Sequence, residues 1–273
     1  MKDHHELLDR YQRWMRSTGR THSTIAQRAA MADRILTRWP AVESVTTEDL
    51  SDWLGQSADL APWSRATYYS GVRAFFKWLA LANLIDTDPT ASPLFERPKA
   101  RVGVPKPLTP AEEARALIAA NGHMQAWLLL ALRAGLRAHE IAAFRGESIA
   151  EDHIVVIGKG QKEASIPTHP DLWALAQTYP RRGWWFPSPG HDGHISRNTV
   201  TIMVGRHFRR PEVDIPKGSI HRARHSYATS LLRRGANMRQ VQTLMRHASP
   251  ATTAIYTAVD EDELRAAINT LGA

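Results

Sequence analysis

Residues 221–247 read HRARHSYATSLLRRGANMRQVQTLMRH, a stretch that predicts a helix with basic side chains gathered near its start. His221, Arg224 and His225 are spaced three and four residues apart, which places them on one face of a helix that ends at Gly235. Like charges crowded on one helix face are unfavourable unless an anion lies opposite them. The pattern therefore predicts an anion-binding face. A solvated basic surface, or histidines satisfied by hydrogen bonds in the core, are the alternatives.

The composition is that of a basic globular protein. Of the 273 residues, 43% are hydrophobic and 23% are charged, and 35 lysines and arginines against 27 acids give a net charge of +8. This excess favours a polyanionic partner, with nucleic acid as the first candidate. The absence of cysteine excludes disulfides, thiolate zinc sites and cysteine nucleophiles. No run approaches the roughly 18 apolar residues of a membrane span, and the polar N-terminus is unlike a secretory signal. We therefore expect a soluble, cytoplasmic protein without membrane contact.

Residues 1–92 predict an all-α bundle. Apolar residues recur at helical spacing in four segments, which implies four helices with their stripes facing one core. The signals that bound these helices are Gly19, Pro40, a threonine cap at Thr46 or Thr47, and Ser64. The basic residues singled out on the outer faces are Arg28, Arg65, Arg73 and Lys77.

A proline-rich stretch then separates two domains. The sequence DTDPTASPLFERPKARVGVPKPL contains five prolines and few periodic apolar residues, so it cannot continue a helix. A capping box of Thr109 and Glu112 begins the next helix. The predicted organisation is an N-terminal domain over 1–92, a linker over 93–107 and a second domain over 108–273.

The second domain is predicted to be mostly helical with a small β-sheet. Two strand-like runs, 154–157 and 163–166, flank a glycine-containing turn that carries Lys159 and Lys162. The segment GWWFPS, residues 183–188, could add an edge strand. The expected fold class is mainly α, with a four-helix bundle followed by a mixed, mostly helical domain.

Six residues form an inventory that suits phosphodiester chemistry: Arg137, Lys159, His221, Arg224, His247 and Tyr256. Arginine clamps phosphate oxygens bidentately, histidine transfers protons near neutrality, and tyrosine can act as a covalent nucleophile. Glu140 lies three residues after Arg137 and is placed to hold it. The set suits attack on a phosphodiester without a metal, with cations stabilising the charged oxygens.

The residues also permit other interpretations. Zinc could be held by the histidines at 221, 225 and 247, but two arginines would repel a dication. Arg222 also stands where a metalloprotease would have its glutamate. We therefore expect neither a metal nor another cofactor. Lys162 competes with Lys159 for the role at the turn, and Tyr256 taken alone could be an ordinary half-buried tyrosine.

The order and spacing of these residues resemble the tyrosine site-specific recombinases, the family of phage integrases and Xer recombinases. The stretch AGLRAHEI is similar to the first arginine box of that family, and HRARHSYATSLLRRGANMRQVQTLMRHASPATTAIYT is similar to the second. The stretch GKGQKEASIP resembles the hairpin that carries the family lysine. FFKWLALANLIDTDPT resembles the end of the core-binding domain, a SAM-like bundle. The resemblance covers nearly the whole chain.

The resemblance implies a role for each residue. Arg137 and Arg224 would hold the scissile phosphate, while Tyr256 would attack it to leave a 3′-phosphotyrosine. Lys159 would protonate the leaving 5′-hydroxyl. His221 would assist proton transfer at the nucleophile, and His247 would donate a hydrogen bond to a non-bridging oxygen. Glu140 matches the acid that orients the first arginine box in the family. His225, one turn from His221, would either support the site or belong to the core. The basic faces of the first domain, rather than the resemblance, predict its contacts with DNA.

Two positions depart from the family pattern. Ala223 stands where a larger apolar residue is usual, and Arg246 stands where glycine commonly precedes the histidine. Each departure concerns local packing or turn geometry, and neither removes a reacting group.

The resemblance further implies a homotetramer on double-stranded DNA that acts through a Holliday junction, and it allows for an accessory directionality factor. The C-terminal helix would dock either in its own subunit or on a neighbour. Integration and excision of a phage or mobile element is the first interpretation, and a dimer resolvase of the Xer kind is the second. A DNA-binding regulator without turnover is the alternative from another class.

Overall fold

The computed structural model describes residues 3–56, 59–98, 106–157, 163–190 and 192–246. The chain divides into two compact units, Met1–Gly103 and Val104–Ala273. No helix among the described residues is both long enough and apolar enough to cross a bilayer.

The N-terminal unit contains the four predicted helices, which are α1 (His4–Ser17), α2 (His22–Arg38), α3 (Thr47–Gln56) and α4 (Pro62–Leu81). Their apolar stripes meet in one core, where Tyr11, Ile35, Leu50 and Phe75 are fully buried. The prediction of an all-α bundle is therefore confirmed. The fourth helix begins at Pro62, two residues earlier than expected, because proline at the first helical position gives up an N–H that has no intrahelical partner there.

The first residues of the predicted linker pack on this unit. After α4 the chain forms a short 3₁₀ turn at Pro89–Ala91. Phe95 is buried, with its ring stacked on that of Tyr69 at a centroid distance of 4.8 Å. The Tyr69 hydroxyl donates a hydrogen bond of 3.2 Å to the carbonyl of Phe95. The stacked ring and the hydrogen bond hold Phe95 in place, although its proline-rich surroundings predict irregular structure.

The described residues of the C-terminal unit are mostly helical and include a β-hairpin. Its elements are α5 (Pro110–Ile118), α6 (Gly122–Arg133), α7 (Ala138–Ala142), β1 (His153–Ile157), β2 (Glu163–Pro167), α8 (Pro170–Ala176), α9 (Arg197–Phe208), α10 (Ile220–Arg233) and α11 (Met238–Met245). The capping box of Thr109 and Glu112 is present at the start of α5. Helix α6 is buried from Ala126 to Leu132, as befits a helix that is apolar on every side, and α10 packs against it.

The hairpin has the predicted antiparallel pairing, in which Ile154 lies opposite Ile166 and Ile157 opposite Glu163. The expected edge strand at 183–188 is wrong. This segment makes only isolated bridges, such as Trp184 with Arg145, and its Trp185 and Phe186 are buried in the core. Gly183 adopts a φ of 84° and Pro187 lacks a backbone donor, so a continuous ladder cannot run through the segment.

Candidate active site

The N-terminal part of α10 carries His221, Arg224 and His225. The Ser219 hydroxyl caps the helix by accepting a hydrogen bond of 3.2 Å from the Arg222 backbone N–H. Arg224 is buried, with 5% of its surface exposed, whereas His221 is exposed and His225 is half-buried. The face predicted from the spacing therefore runs from solvent at His221 into the interior at Arg224.

The turn between α6 and α7 brings Arg137 and Glu140 together. Gly135 has a φ of +59°, and a Cβ there would lie 2.5 Å from Cδ1 of Tyr227, so the chain needs glycine for both conformation and space. The Glu140 carboxylate accepts hydrogen bonds from the Arg137 backbone N–H at 2.7 Å and from Arg137 Nη1 at 2.8 Å. The predicted contact between these residues is present. It leaves the Arg137 side chain 32% exposed while that of Glu140 is completely buried.

Arg224 connects this turn to the end of α11. Its Nη1 donates to the carbonyl of Gly135, and its Nη2 donates to the carbonyl of Met245 at 2.7 Å. The same Nη1 lies 3.9 Å from Oε2 of Glu140. Arg137 and Arg224, 87 positions apart by their numbers, thus share one buried carboxylate.

A third arginine, Arg246, which stands where glycine is common in the family, contacts the same carboxylate. Nη2 of Arg246 lies 2.7 Å from Oε2 of Glu140 and 3.4 Å from the carbonyl oxygen of Gly135. We call Arg137, Arg224 and Arg246 around Glu140 the arginine cluster. The signal that could have found Arg246 is a bulky cation at a helix end where a left-handed conformation is required.

The arginine cluster holds two more guanidinium groups than carboxylates. Burial alone would raise the pKa of the Glu140 carboxyl. The positive charges of Arg246 and Arg137 and the Arg137 backbone N–H outweigh that effect and hold the pKa below its ordinary value. Glu140 is therefore a fixed anion. Because guanidinium groups donate hydrogen bonds and have no lone pair for a metal, the cluster suits a bound anion.

The histidines beside the cluster are shifted towards their neutral forms. Burial, together with the charges of His221 and Arg224, lowers the pKa of His225 to about 4. Burial of part of its ring, followed by the charges of Arg224 and Arg137, also lowers the pKa of His221. His139, on α7, is shifted downward as well, chiefly by burial. A neutral His221 retains a lone pair that can accept a proton.

Three of the predicted site residues, Lys159, His247 and Tyr256, lie outside the described residues, as does the competing Lys162. The described chain stops at Arg246, immediately before His247. The structure therefore brings together Arg137, Glu140 and Arg224, with His221 and His225 on the adjoining face of α10.

The basic residues of the N-terminal unit fall into two groups. Arg73 and Lys77 are exposed on α4 and line a cavity of about 370 Å³ together with Arg97. Arg65 lines a neighbouring cavity that also includes Arg97. Arg28 lies on α2, where its charge acts on Tyr11. Arg97 went unnoticed in the sequence because it falls within the proline-rich stretch, where helical periodicity gives no information.

Comparisons with known proteins show the family of this chain. Residues 107–263 match the family model described as the phage integrase family. The tyrosine recombinase XerC of Caldanaerobacter subterraneus subsp. tengcongensis is 32% identical over 246 residues, covering 84% of this chain and 69% of XerC.

Two solved structures share the fold. The integrase from mycobacterium phage Brujita is 32% identical, with a TM-score of 0.52, and the match covers 94% of this chain and 89% of the integrase. The Tn1549 transposon integrase in complex with transposon right end DNA is 20% identical, with a TM-score of 0.71 and coverage of 98% and 99%. Because the family model spans more than half of the chain and XerC is similar over most of its length, this chain belongs to the phage integrase family: it is a tyrosine recombinase, an enzyme that transfers DNA strands in site-specific recombination.

Proposed function

We propose that this recombinase cleaves and rejoins duplex DNA with Tyr256 as the nucleophile. The phenol oxygen attacks the scissile phosphorus, the bond from phosphorus to the 5′-oxygen breaks, and a 3′-phosphotyrosine forms. Lys159 gives its proton to the leaving 5′-oxygen, and His221 accepts the proton of the phenol. Arg137 and Arg224 hold the non-bridging oxygens, with a hydrogen bond from His247. No metal or other cofactor takes part in this scheme.

The observation that carries the proposal is the arginine cluster. Two guanidinium groups that would hold the phosphate, Arg137 and Arg224, reach one buried carboxylate, and the excess positive charge favours an anion. Fixed donors aimed at a developing charge are the largest single source of catalysis in many enzymes, because they need no reorganisation during the reaction. The lowered pKa of His221 supports its role as a proton acceptor at neutral pH.

The N-terminal unit would act as the core-binding domain and Val104–Ala273 as the catalytic domain. Arg65, Arg73 and Lys77 would contact the DNA backbone, together with Arg28 on α2. Four protomers would exchange strands in two steps through a Holliday junction, with a directionality factor setting the outcome. The absence of cysteine is compatible with the cytoplasmic location that we propose.

A covalent-trapping experiment tests the proposal and also finds the DNA site. The protein is incubated with a library of nicked duplexes whose central positions are randomised, and covalent complexes are recovered by partition in detergent and phenol. Sequencing of the recovered DNA gives the site, and mass spectrometry of the tryptic peptide gives the attacked residue. We expect the adduct on Tyr256, and we expect Tyr256→Phe to abolish it while DNA binding persists.

Tyr227 supplies a matched control for that experiment. It lies close enough to the arginine cluster for Arg246 and Arg224 to act on its pKa, although burial raises the pKa overall. An adduct mapped to Tyr227, or one that survives Tyr256→Phe, would refute the assigned nucleophile. Failure of the wild-type protein to form any adduct would refute the proposed mechanism.

Integration and excision of a mobile element is the biological role that we favour, in keeping with the similarity to the integrase from mycobacterium phage Brujita. The similarity to XerC supports a dimer resolvase as the second candidate. Recombination between two plasmid-borne copies of the recovered site separates the roles. Recombination by this protein alone favours an integrase, whereas dependence on a second recombinase favours the Xer role.

A further inference from the structure

The residue at the C-terminal end of α11 is unusual for its backbone conformation. Arg246 adopts φ 53° and ψ 44°, the left-handed conformation, and its N–H bonds to the carbonyls of Gln242 and Thr243. For a residue with a Cβ, this conformation costs about 1 kcal/mol or more relative to glycine. A helix end alone would be better served by glycine. We therefore expect the side chain of Arg246 to make a contact that offsets the cost of this backbone conformation.

The side chain points into the protein. Only 7% of its surface is exposed, and its Nη2 forms the 2.7 Å ion pair with Glu140. Among the described residues, Nε and Nη1 of Arg246 are buried without a hydrogen-bond partner. Burying a guanidinium with donors left over is costly. The buried position of Arg246 is therefore better explained by its effect on Glu140 than by a gain in folding stability.

The contacts of the Glu140 carboxylate show what that effect is. Oε1 accepts from the Arg137 side chain, while Oε2 accepts from the Arg137 backbone N–H and from Arg246. Arg224 lies farther from Oε2, at 3.9 Å, and donates instead to backbone carbonyls of Gly135 and Met245. Without Arg246, Oε2 would lose its 2.7 Å ion pair, and among the described residues the other arginine paired with that oxygen is Arg224, at 3.9 Å.

We propose that Arg246 is a positioning residue for strand cleavage: it occupies Oε2 of Glu140, so that Glu140 orients Arg137 without drawing Arg224 away from the phosphate. The inference rests on the proposed function and deepens it. Arg246 also follows Met245, whose carbonyl accepts from Arg224, so one helix end holds both arginines in register. This role depends on the presence of arginine at position 246, where glycine is common in the family.

The test uses single-turnover formation of the covalent adduct on a nicked duplex recovered by the trapping experiment. We expect Arg246→Gly to slow adduct formation by about 10- to 100-fold, the range in which a small misplacement of a reacting group operates. DNA affinity should stay within about threefold, because the role is positioning rather than binding. Arg246→Lys keeps the charge and should recover part of the lost rate. If Arg246→Gly has too low a melting temperature to be assayed, the adduct rate of Arg246→Lys is compared with that of the wild type instead.

Two further variants make the experiment specific. Asp214 also has a positive φ, at 49°, but it is exposed and is not a member of the arginine cluster, so Asp214→Gly imposes the same backbone change and should cleave at the wild-type rate. Glu140→Gln should be slow by itself. Adding Arg246→Gly to it should cost less than about twofold more, because residues that act as one unit give non-additive losses.

The inference is overturned if Arg246→Gly cleaves at the wild-type rate, if Arg246→Lys is no faster than Arg246→Gly, or if the losses in the double variant multiply. The wild-type reaction separates this failure from failure of the proposed function. Absence of any wild-type adduct refutes the mechanism, whereas a normal wild-type adduct with an equally fast glycine variant refutes only the role of Arg246.

Discussion

Replacing Glu140 by glutamine is the perturbation whose effect on stability follows most directly from the structure. The Glu140 side chain is fully buried, and the two nearest buried guanidinium groups, Arg224 and Arg246, are 6% and 7% exposed. Removing one partner of a buried ion pair leaves an uncompensated charge and costs about 3–5 kcal/mol. The free energy of unfolding of a protein is commonly about 5–15 kcal/mol. We therefore expect Glu140→Gln to remove a large part of the stability of the C-terminal unit.

The assay must separate the two units. Hydrogen exchange followed by mass spectrometry, at increasing urea concentration, reports the unfolding free energy of peptides from α6 and α10. Peptides from α2 and α4 provide an internal reference and should be unchanged. Glu147→Gln is the matched control, because the Glu147–Arg145 pair is 45% exposed at both side chains and such pairs contribute about 1 kcal/mol or less. A loss below about 1 kcal/mol for Glu140→Gln would refute the reasoning.

The effect should also depend on pH. Because the pKa of Glu140 in the folded protein lies below its ordinary value of 4.5, its contribution is fully present above that pH. The contribution is lost as the pH falls through the lower folded pKa. The difference in unfolding free energy between the wild type and Glu140→Gln should therefore shrink below pH 4.5. A difference that stays constant on acidification would show that the carboxylate charge is not the cause.

Three other predictions concern separate parts of the molecule. NMR titration should give a pKa of about 4 for His225, and stability should fall as the pH drops from 6.5 towards that value; His225→Asn should flatten this dependence, and equal slopes would contradict it. Gly135→Ala should lower the free energy of unfolding, because φ is +59° and the added Cβ meets Tyr227. A decrease of less than about 1 kcal/mol, measured by urea denaturation, would contradict this reasoning. Arg73→Ala should reduce the slope of log affinity against log salt by about one, if Arg73 contacts a phosphate; an unchanged slope would remove it from the DNA interface.

Much of the fold follows from local sequence signals. The apolar stripes that include Leu7 and Phe75 identify helices of the bundle, and the box of Thr109 and Glu112 marks the first helix of the second unit. These signals suffice because helix formation depends on spacing and on partners three or four residues away. The segment 183–188 shows the limit of such reasoning. Its aromatic residues are typical of a strand, but core packing of Trp185 and Phe186 decides its conformation.

Local sequence signals predict the four helices of the bundle and the capping box at the start of α5, and they single out Arg137, Glu140 and Arg224 as candidate site residues. The contacts of Arg224 with the carbonyls of Gly135 and Met245, and of Arg246 with Glu140, arise from the packing of elements that are distant in the sequence. Periodicity fixes the face on which a side chain lies, because residues three or four positions apart are neighbours on a helix. It carries no information about which distant element packs on that face, since that choice depends on how the whole core is filled.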